Sequence, residues 1–126
     1  PFTLILVDYI GKLETYELVW DGTQKHFTKL AQEAKIWSSS TLYSDEMKEL
    51  IKDWFANWLA ENEDFKQDKV IQFHQNKNLG NAEISPKMKR SFTETVSTTS
   101  IKKENEKVVI TYFDYLKDVV KIVQTK

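Results

Sequence analysis

The chain has 126 residues, with 18 Lys+Arg against 19 Asp+Glu and a net charge of -1. Apolar residues make up 40% and aromatics 13%, enough for one folded domain over 1–126 and too apolar for a disordered chain. It has no cysteine, which excludes disulfides, cysteine-based zinc and iron–sulfur sites and thiol nucleophiles.

Phe2 to Ile10 is apolar on both alternating faces, with Phe2, Leu4 and Leu6 on one and Ile5 and Val7 on the other. This predicts a strand covered on both sides. The same stretch lacks a basic n-region and contains Asp8, so it does not read as a secretory signal. Gly11-Lys12 reads as a turn and Leu13 to Trp20 as a second strand, forming an N-terminal hairpin. Asp21-Gly22-Thr23 is expected to close that strand and open a helix, with Thr23 as N-cap. Phe27, Leu30, Ala31, Ala34 and Trp37 follow helical spacing, and Ser38-Ser39-Ser40-Thr41 breaks it. Ser44 caps the clearest helix. Met47, Leu50, Ile51, Trp54, Phe55, Trp58 and Leu59 form its core-facing stripe.

Lys69 to His74 is predicted as a third strand through Val70, Ile71 and Phe73. Gln75 to Lys87 is a long polar connection, of the kind that is often functional. Met88 to Ser100 alternates. Met88, Phe92, Val96 and Thr98 lie on a covered face, opposite a wet face that includes Lys89, Thr95, Ser97 and Thr99. Lys102 to Glu106 reads as a charged hairpin turn and Lys107 to Phe113 as the returning strand. Asp114-Tyr115 turns again. Leu116 to Val123 ends the chain as a strand or short helix, with its Val and Ile pairs favouring strand. The order is β-β-α-α-β-β-β-β. The expected class is α+β, with a mixed, curved or pseudo-barrel sheet of about six strands and two to three helices.

The charge is unevenly spread. Pro1 to Phe65 holds 6 lysines and 12 acids, while Lys66 to Lys126 holds 11 lysines, Arg90 and 7 acids. Such a split suggests an electropositive face, unless the two halves balance against each other. With one arginine among 18 cations, contact to a nucleic-acid backbone is expected to outweigh base reading.

There is no P-loop, dinucleotide fingerprint or nucleophile elbow. His26 and His74 lack a partner at metal spacing, so no metal or other cofactor is expected. Glu104-Asn105-Glu106-Lys107 superficially matches a nuclease-like pattern, but a charged hairpin tip explains the same residues. Asp8 and Asp114 form an acid–base pair only if the last strand lies beside the first. No constellation supports an enzyme. Trp54 and Trp58 read as core. Trp20 and Trp37 lie near element ends, and Tyr16, Tyr43, Tyr112 and Tyr115 are stacking platforms or buried rings with wet hydroxyls.

The most suggestive group is basic. Lys77, Lys87, Lys89 and Arg90 span the long loop and the start of the polar-faced strand, and Lys102, Lys103 and Lys107 lie at that strand's other end. Lysines at both ends of a Ser/Thr-lined strand fit a phosphate backbone. The competing reading is an edge strand protected by lysines against unwanted pairing.

Phe2-Thr3-Leu4-Ile5-Leu6-Val7-Asp8-Tyr9 and Val108-Val109-Ile110-Thr111-Tyr112-Phe113, with the length and strand pattern of the whole chain, resemble the PrgU-like proteins. These are small plasmid-associated proteins of enterococci. The resemblance implies a PUA-like pseudo-barrel and a cytoplasmic regulator acting through RNA to limit conjugation and surface-adhesin expression. It carries no site residue with it. The alternative is a protein-interaction module that binds a host or plasmid protein; membrane partners are not expected.

Overall fold

The computed structural model describes residues 1–39 and 42–125. The described residues form six strands and two helices in the order β-β-β-α-α-β-β-β. The strands form two three-stranded antiparallel sheets, in place of the expected mixed sheet of six. The contacts gather into two compact units, Pro1–Lys52 and Asp53–Lys126.

In the first unit β1 (Phe2–Asp8) pairs with β2 (Glu14–Trp20), and β2 pairs with β3 (Lys25–Lys29). The N-terminal hairpin is as expected. The helix expected from Thr23 is not: the chain forms β3 there. Asp21 explains the difference. Its Oδ1 accepts the backbone N–H groups of Thr23 and Gln24, each at 2.7 Å, and Gly22 takes φ +106°. Asp-Gly therefore builds a hairpin turn, and Thr23 caps nothing. Residues 31–39 form no helix either, and Ser40 and Thr41 of the expected break lie outside the described residues. Trp37 Nε1 donates to Glu17 Oε1 at 2.7 Å, tying this irregular segment to β2.

β1 is not covered on both sides. Phe2, Leu4, Leu6 and Val7 are all exposed. By register, Phe2, Leu4 and Leu6 share one face with Trp20, Leu18, Tyr16 and Phe27. That face is largely apolar, with Lys25 and Lys29 also on it, and its Phe2, Leu4, Leu6 and Phe27 side chains are exposed.

Helix α1 (Asp45–Glu61) starts where Ser44 places it: Ser44 Oγ accepts the Met47 N–H at 3.4 Å, and Asp45 and Glu46 occupy the first turn. Ile51 of its stripe is buried, Trp54, Phe55 and Trp58 are half-buried, and Leu50 is exposed. In the second unit the segment predicted as a strand over Lys69–His74 is instead helix α2 (Gln67–His74). Its turns bring Phe73 against Phe55 and Trp58 of α1, with ring centres 5.7 and 5.5 Å apart. An aromatic cluster of this kind packs a helix pair more fully than a half-covered strand would.

The long connection after α2 is not simply polar surface. Ile84 and Met88 are buried within it or at its end, and Ser85 is fully buried, its hydroxyl donating to the Lys87 carbonyl at 3.0 Å. The expected strand over Met88–Ser100 is irregular up to Val96, with one bridge between Lys89 and Glu94. Phe92, expected on a covered face, sits fully exposed at the end of that bridge.

The regular strand β4 runs Ser97–Glu104 and absorbs Lys102, Lys103 and Glu104, which the sequence assigned to the turn. The true turn is Asn105-Glu106, with Asn105 at φ +52°. β5 (Lys107–Asp114) returns, and β6 (Val119–Gln124) ends the sheet as a strand paired with β5.

Candidate nucleic-acid interface

The site is built on the irregular segment between α2 and β4. Gln75 ends α2, its N–H donating to the Ile71 carbonyl at 2.9 Å. Asn76 then turns the chain. Its Oδ1 accepts the Asn78 N–H at 2.7 Å, and its backbone carbonyl accepts the Lys87 N–H at 3.1 Å. Asn81 repeats the device, with Oδ1 on the Glu83 N–H at 2.9 Å. The Lys89 N–H donates to the Ala82 carbonyl at 2.7 Å, and the Thr95 N–H to the Met88 carbonyl at 3.0 Å. Side-chain amides and cross-loop backbone bonds thus hold a loop that has no ladder of its own.

These bonds shape a groove of about 350 Å³ lined by Lys77, Lys87, Lys89, Glu94, Thr95 and Tyr115, with Ala82, Met88 and Leu116 as its apolar wall. Lys87 Nζ stands 3.3 Å from the centre of the Tyr115 ring. The ring face attracts the ammonium and fixes its place. The Tyr115 hydroxyl donates to Thr98 Oγ1 at 2.8 Å, so the ring is itself anchored on β4. Lys89 Nζ is 3.7 Å from Glu94 and mostly exposed, a pair that a phosphate can displace. Lys77 makes no ion pair among the described residues.

The other predicted basic residues separate into two groups. Arg90 lies beside the groove, but its Nε donates to the Glu83 carbonyl at 2.9 Å, so it helps hold the loop. Lys102, Lys103 and Lys107 lie at the far tip of the β4–β5 hairpin. Lys102 pairs with Glu104 at 2.7 Å, Lys103 Nζ donates to the Asn105 carbonyl at 2.6 Å, and Lys107 stands opposite Glu104 in register. Groove and tip are separated by the length of β4, roughly 20 Å at about 3.3 Å per residue. Along it, Thr99 is exposed, while Ser100 accepts a hydrogen bond from Gln67 Nε2 at 2.6 Å.

The charge split also changes when it is counted by structural unit. Asp53, Glu61, Glu63 and Asp64 belong to the second unit. The first unit then has 6 cations and 8 acids, the second 12 and 11. Positive charge is therefore a local property of the groove, whose lining holds three lysines, Lys77, Lys87 and Lys89, and one acid, Glu94.

The remaining candidates have local partners. Asp8 Oδ1 accepts the Ile10 N–H at 2.9 Å, and Asp114 Oδ1 accepts from Leu116 and Lys117 at 3.1 and 3.0 Å. Each carboxylate closes its own turn. His26 Nε2 meets Asp21 Oδ2 at 2.9 Å at the β2–β3 turn. His74 stands edge-on to Phe73, and partial burial pushes its imidazole below the ordinary histidine range. Glu104–Lys107 is a hairpin tip. Among the described residues no cluster of three His, Asp or Glu is placed to hold a metal, and no helix is long and apolar enough to cross a membrane.

Sequence reasoning places Thr95 on the wet face of the Ser/Thr-lined strand but does not single out Leu116, whose only signal as a groove residue is its place next to Tyr115. No family model, curated protein or solved structure matches this chain.

Proposed function

We propose that this chain is a non-catalytic RNA-binding regulator of the cytoplasm, with a PUA-like arrangement of its strands. The observation that carries the RNA reading is the convergence of Lys77, Lys87 and Lys89 on one groove beside an anchored tyrosine. Point-charge ammonium groups suit phosphates, and a ring held at a groove wall suits a base passing over it. The further reading, that the target is a transcript for plasmid conjugation or surface adhesins, rests on the PrgU-like character of Phe2–Tyr9 and Val108–Phe113.

The test is crosslinking to RNA in cells, followed by binding of single-stranded RNA to the purified chain across a salt series. Affinity should fall steeply with salt. The double variant Lys77→Glu/Lys89→Glu should bind at least about tenfold more weakly, as expected when two phosphate contacts become repulsions. Unchanged binding by that variant would remove the groove from the interaction.

A second reading, a module that binds another protein, is favoured by the open apolar face of the first sheet and by Phe92, exposed at 101%. Its mark would be a stoichiometric protein partner that survives nuclease treatment and is lost with Phe92→Ala.

A further inference from the structure

A second cavity, of about 460 Å³, opens in the second unit between the C-terminal part of α1 and α2. That volume is in the range of small-ligand sites. Its floor is aromatic and rigid. Trp58 lies 5.5 Å from Phe73, and Phe55 supports both from behind, stacked on Trp58 at 5.9 Å. Trp54 is fixed by the backbone of Gly80, which passes so close that a Cβ there would stand 2.6 Å from the indole.

The rim carries four amides, Asn57, Asn62, Gln72 and Asn76, together with Glu61 and with Lys69, whose ammonium is paired with Asp64 at 3.1 Å. Asn62 donates its amide N–H to the Trp58 carbonyl at 2.9 Å, which leaves its side-chain oxygen as an acceptor. Asn76 accepts with its oxygen from the Asn78 N–H, which leaves its amide N–H groups as donors. Asn57 and Gln72 are exposed and make no side-chain hydrogen bond among the described residues. An aromatic floor and a polar rim offering both donors and acceptors match a flat ligand with a mixed polar edge.

A pyranose ring also stacks on tryptophan. The neighbouring chain decides between the two. Asn76 of the rim is followed directly by Lys77 of the basic groove. A ligand that places a neutral flat ring in one site and anionic groups in the next is a nucleotide strand, not a neutral sugar. We propose that this cavity takes an unstacked nucleobase of the strand whose phosphates lie along the Lys77–Lys89 groove. The inference rests on the RNA reading for its biological ligand, though the cavity's preference for a base can be measured without phosphate.

Nucleosides supply that measurement, because they carry no phosphate for the groove to hold. The full chain has four tryptophans, giving four indole N–H signals. Titration with each of the four ribonucleosides, followed by NMR, should shift the Trp54 and Trp58 signals saturably and leave Trp20 and Trp37 in place. The double variant Asn57→Ala/Gln72→Ala should weaken the effect about five- to tenfold, the loss expected for one or two hydrogen bonds. Its unliganded indole signals should stay at their wild-type positions, which shows that the fold survives. If no nucleoside moves the two signals, or methyl glucoside moves them and nucleosides do not, the proposal is overturned, and salt-dependent RNA binding still judges the groove independently. If nucleosides bind while Lys77→Glu/Lys89→Glu leaves RNA affinity unchanged, the base site stands and the groove reading falls.

Discussion

Gly80 is the residue at which one absent carbon matters most. Its φ of +69° lies in the left-handed region, and a Cβ would meet Trp54 at 2.6 Å and Ile84 at 3.2 Å. Ala there adds left-handed strain of about 1–2 kcal/mol to an overpacking cost of about 1–3 kcal/mol. Gly80→Ala should therefore lower the urea midpoint, read by tryptophan fluorescence, by the equivalent of roughly 2–5 kcal/mol. Gly80→Asn separates the two causes. Asn tolerates the left-handed backbone but still meets the indole, so it should recover part of the loss and no more. A full recovery would mean that the close approach to Trp54 contributes nothing. Lys87 shows the opposite case, a side chain fixed by what it touches: its ammonium lies on the Tyr115 ring, and that ring is anchored to Thr98.

At the scale of elements, the β2–β3 turn depends on a single carboxylate. The Gln24 N–H, then the His26 ring and the Thr23 N–H, hold the Asp21 carboxyl at about 2. Glu14, bonded first by Lys29 and then by Tyr16, is also held at about 2. Both carboxyls bind their proton more readily in the unfolded chain. Their contribution to stability is therefore complete above about pH 5 and is lost progressively as pH falls toward 2. Amide exchange protection in β2 and β3 should fall over that window. In Asp21→Asn the window should be shallower and the protection at neutral pH lower. An unchanged acid limb would show that the turn does not depend on the charge. This turn was also legible in the sequence, since Asp-Gly between alternating segments is a strong hairpin signal. The apolar spacing at Phe27, Leu30, Ala31 and Ala34 competes with it, because four apolar residues in a short window satisfy a helix by chance. α1 is legible in the sequence for the converse reason. Seven stripe positions over 17 residues behind a Ser44 cap leave no competing period. α2 has eight residues, and Val70, Ile71 and Phe73 look equally well like a strand. The strand pattern also hides the cavity beside α2. Lys69, Gln72, Phe73 and Asn76 fall on one side only if the segment is helical.

At the scale of the molecule, the chain holds two sets of lysines that its sequence makes look alike. The structure gives them different work. At the hairpin tip, Lys102 faces Glu104 and Lys103 is bonded to the Asn105 carbonyl, so much of their charge is answered locally. In the groove, Lys77 has no ion pair among the described residues and Lys89 only a loose one at 3.7 Å. Counterion release reads this difference directly. Each phosphate contact on a single strand contributes about 0.7 to the slope of log affinity against log salt. Lys77→Ala/Lys89→Ala should flatten the slope by roughly 1.4 if both side chains meet phosphate. Lys102→Ala/Lys103→Ala should flatten it by less than about 0.7, since an RNA must first displace the local partners. The same two variants separate a track along β4 from a groove that acts alone. If the tip variant flattens the slope as much as the groove variant, the strand runs the whole length of β4 and the exposed Thr99 lies beneath it. If only the groove variant does so, recognition is confined to the segment between α2 and β4, and the tip lysines serve to keep the edge of β4 from pairing with another strand.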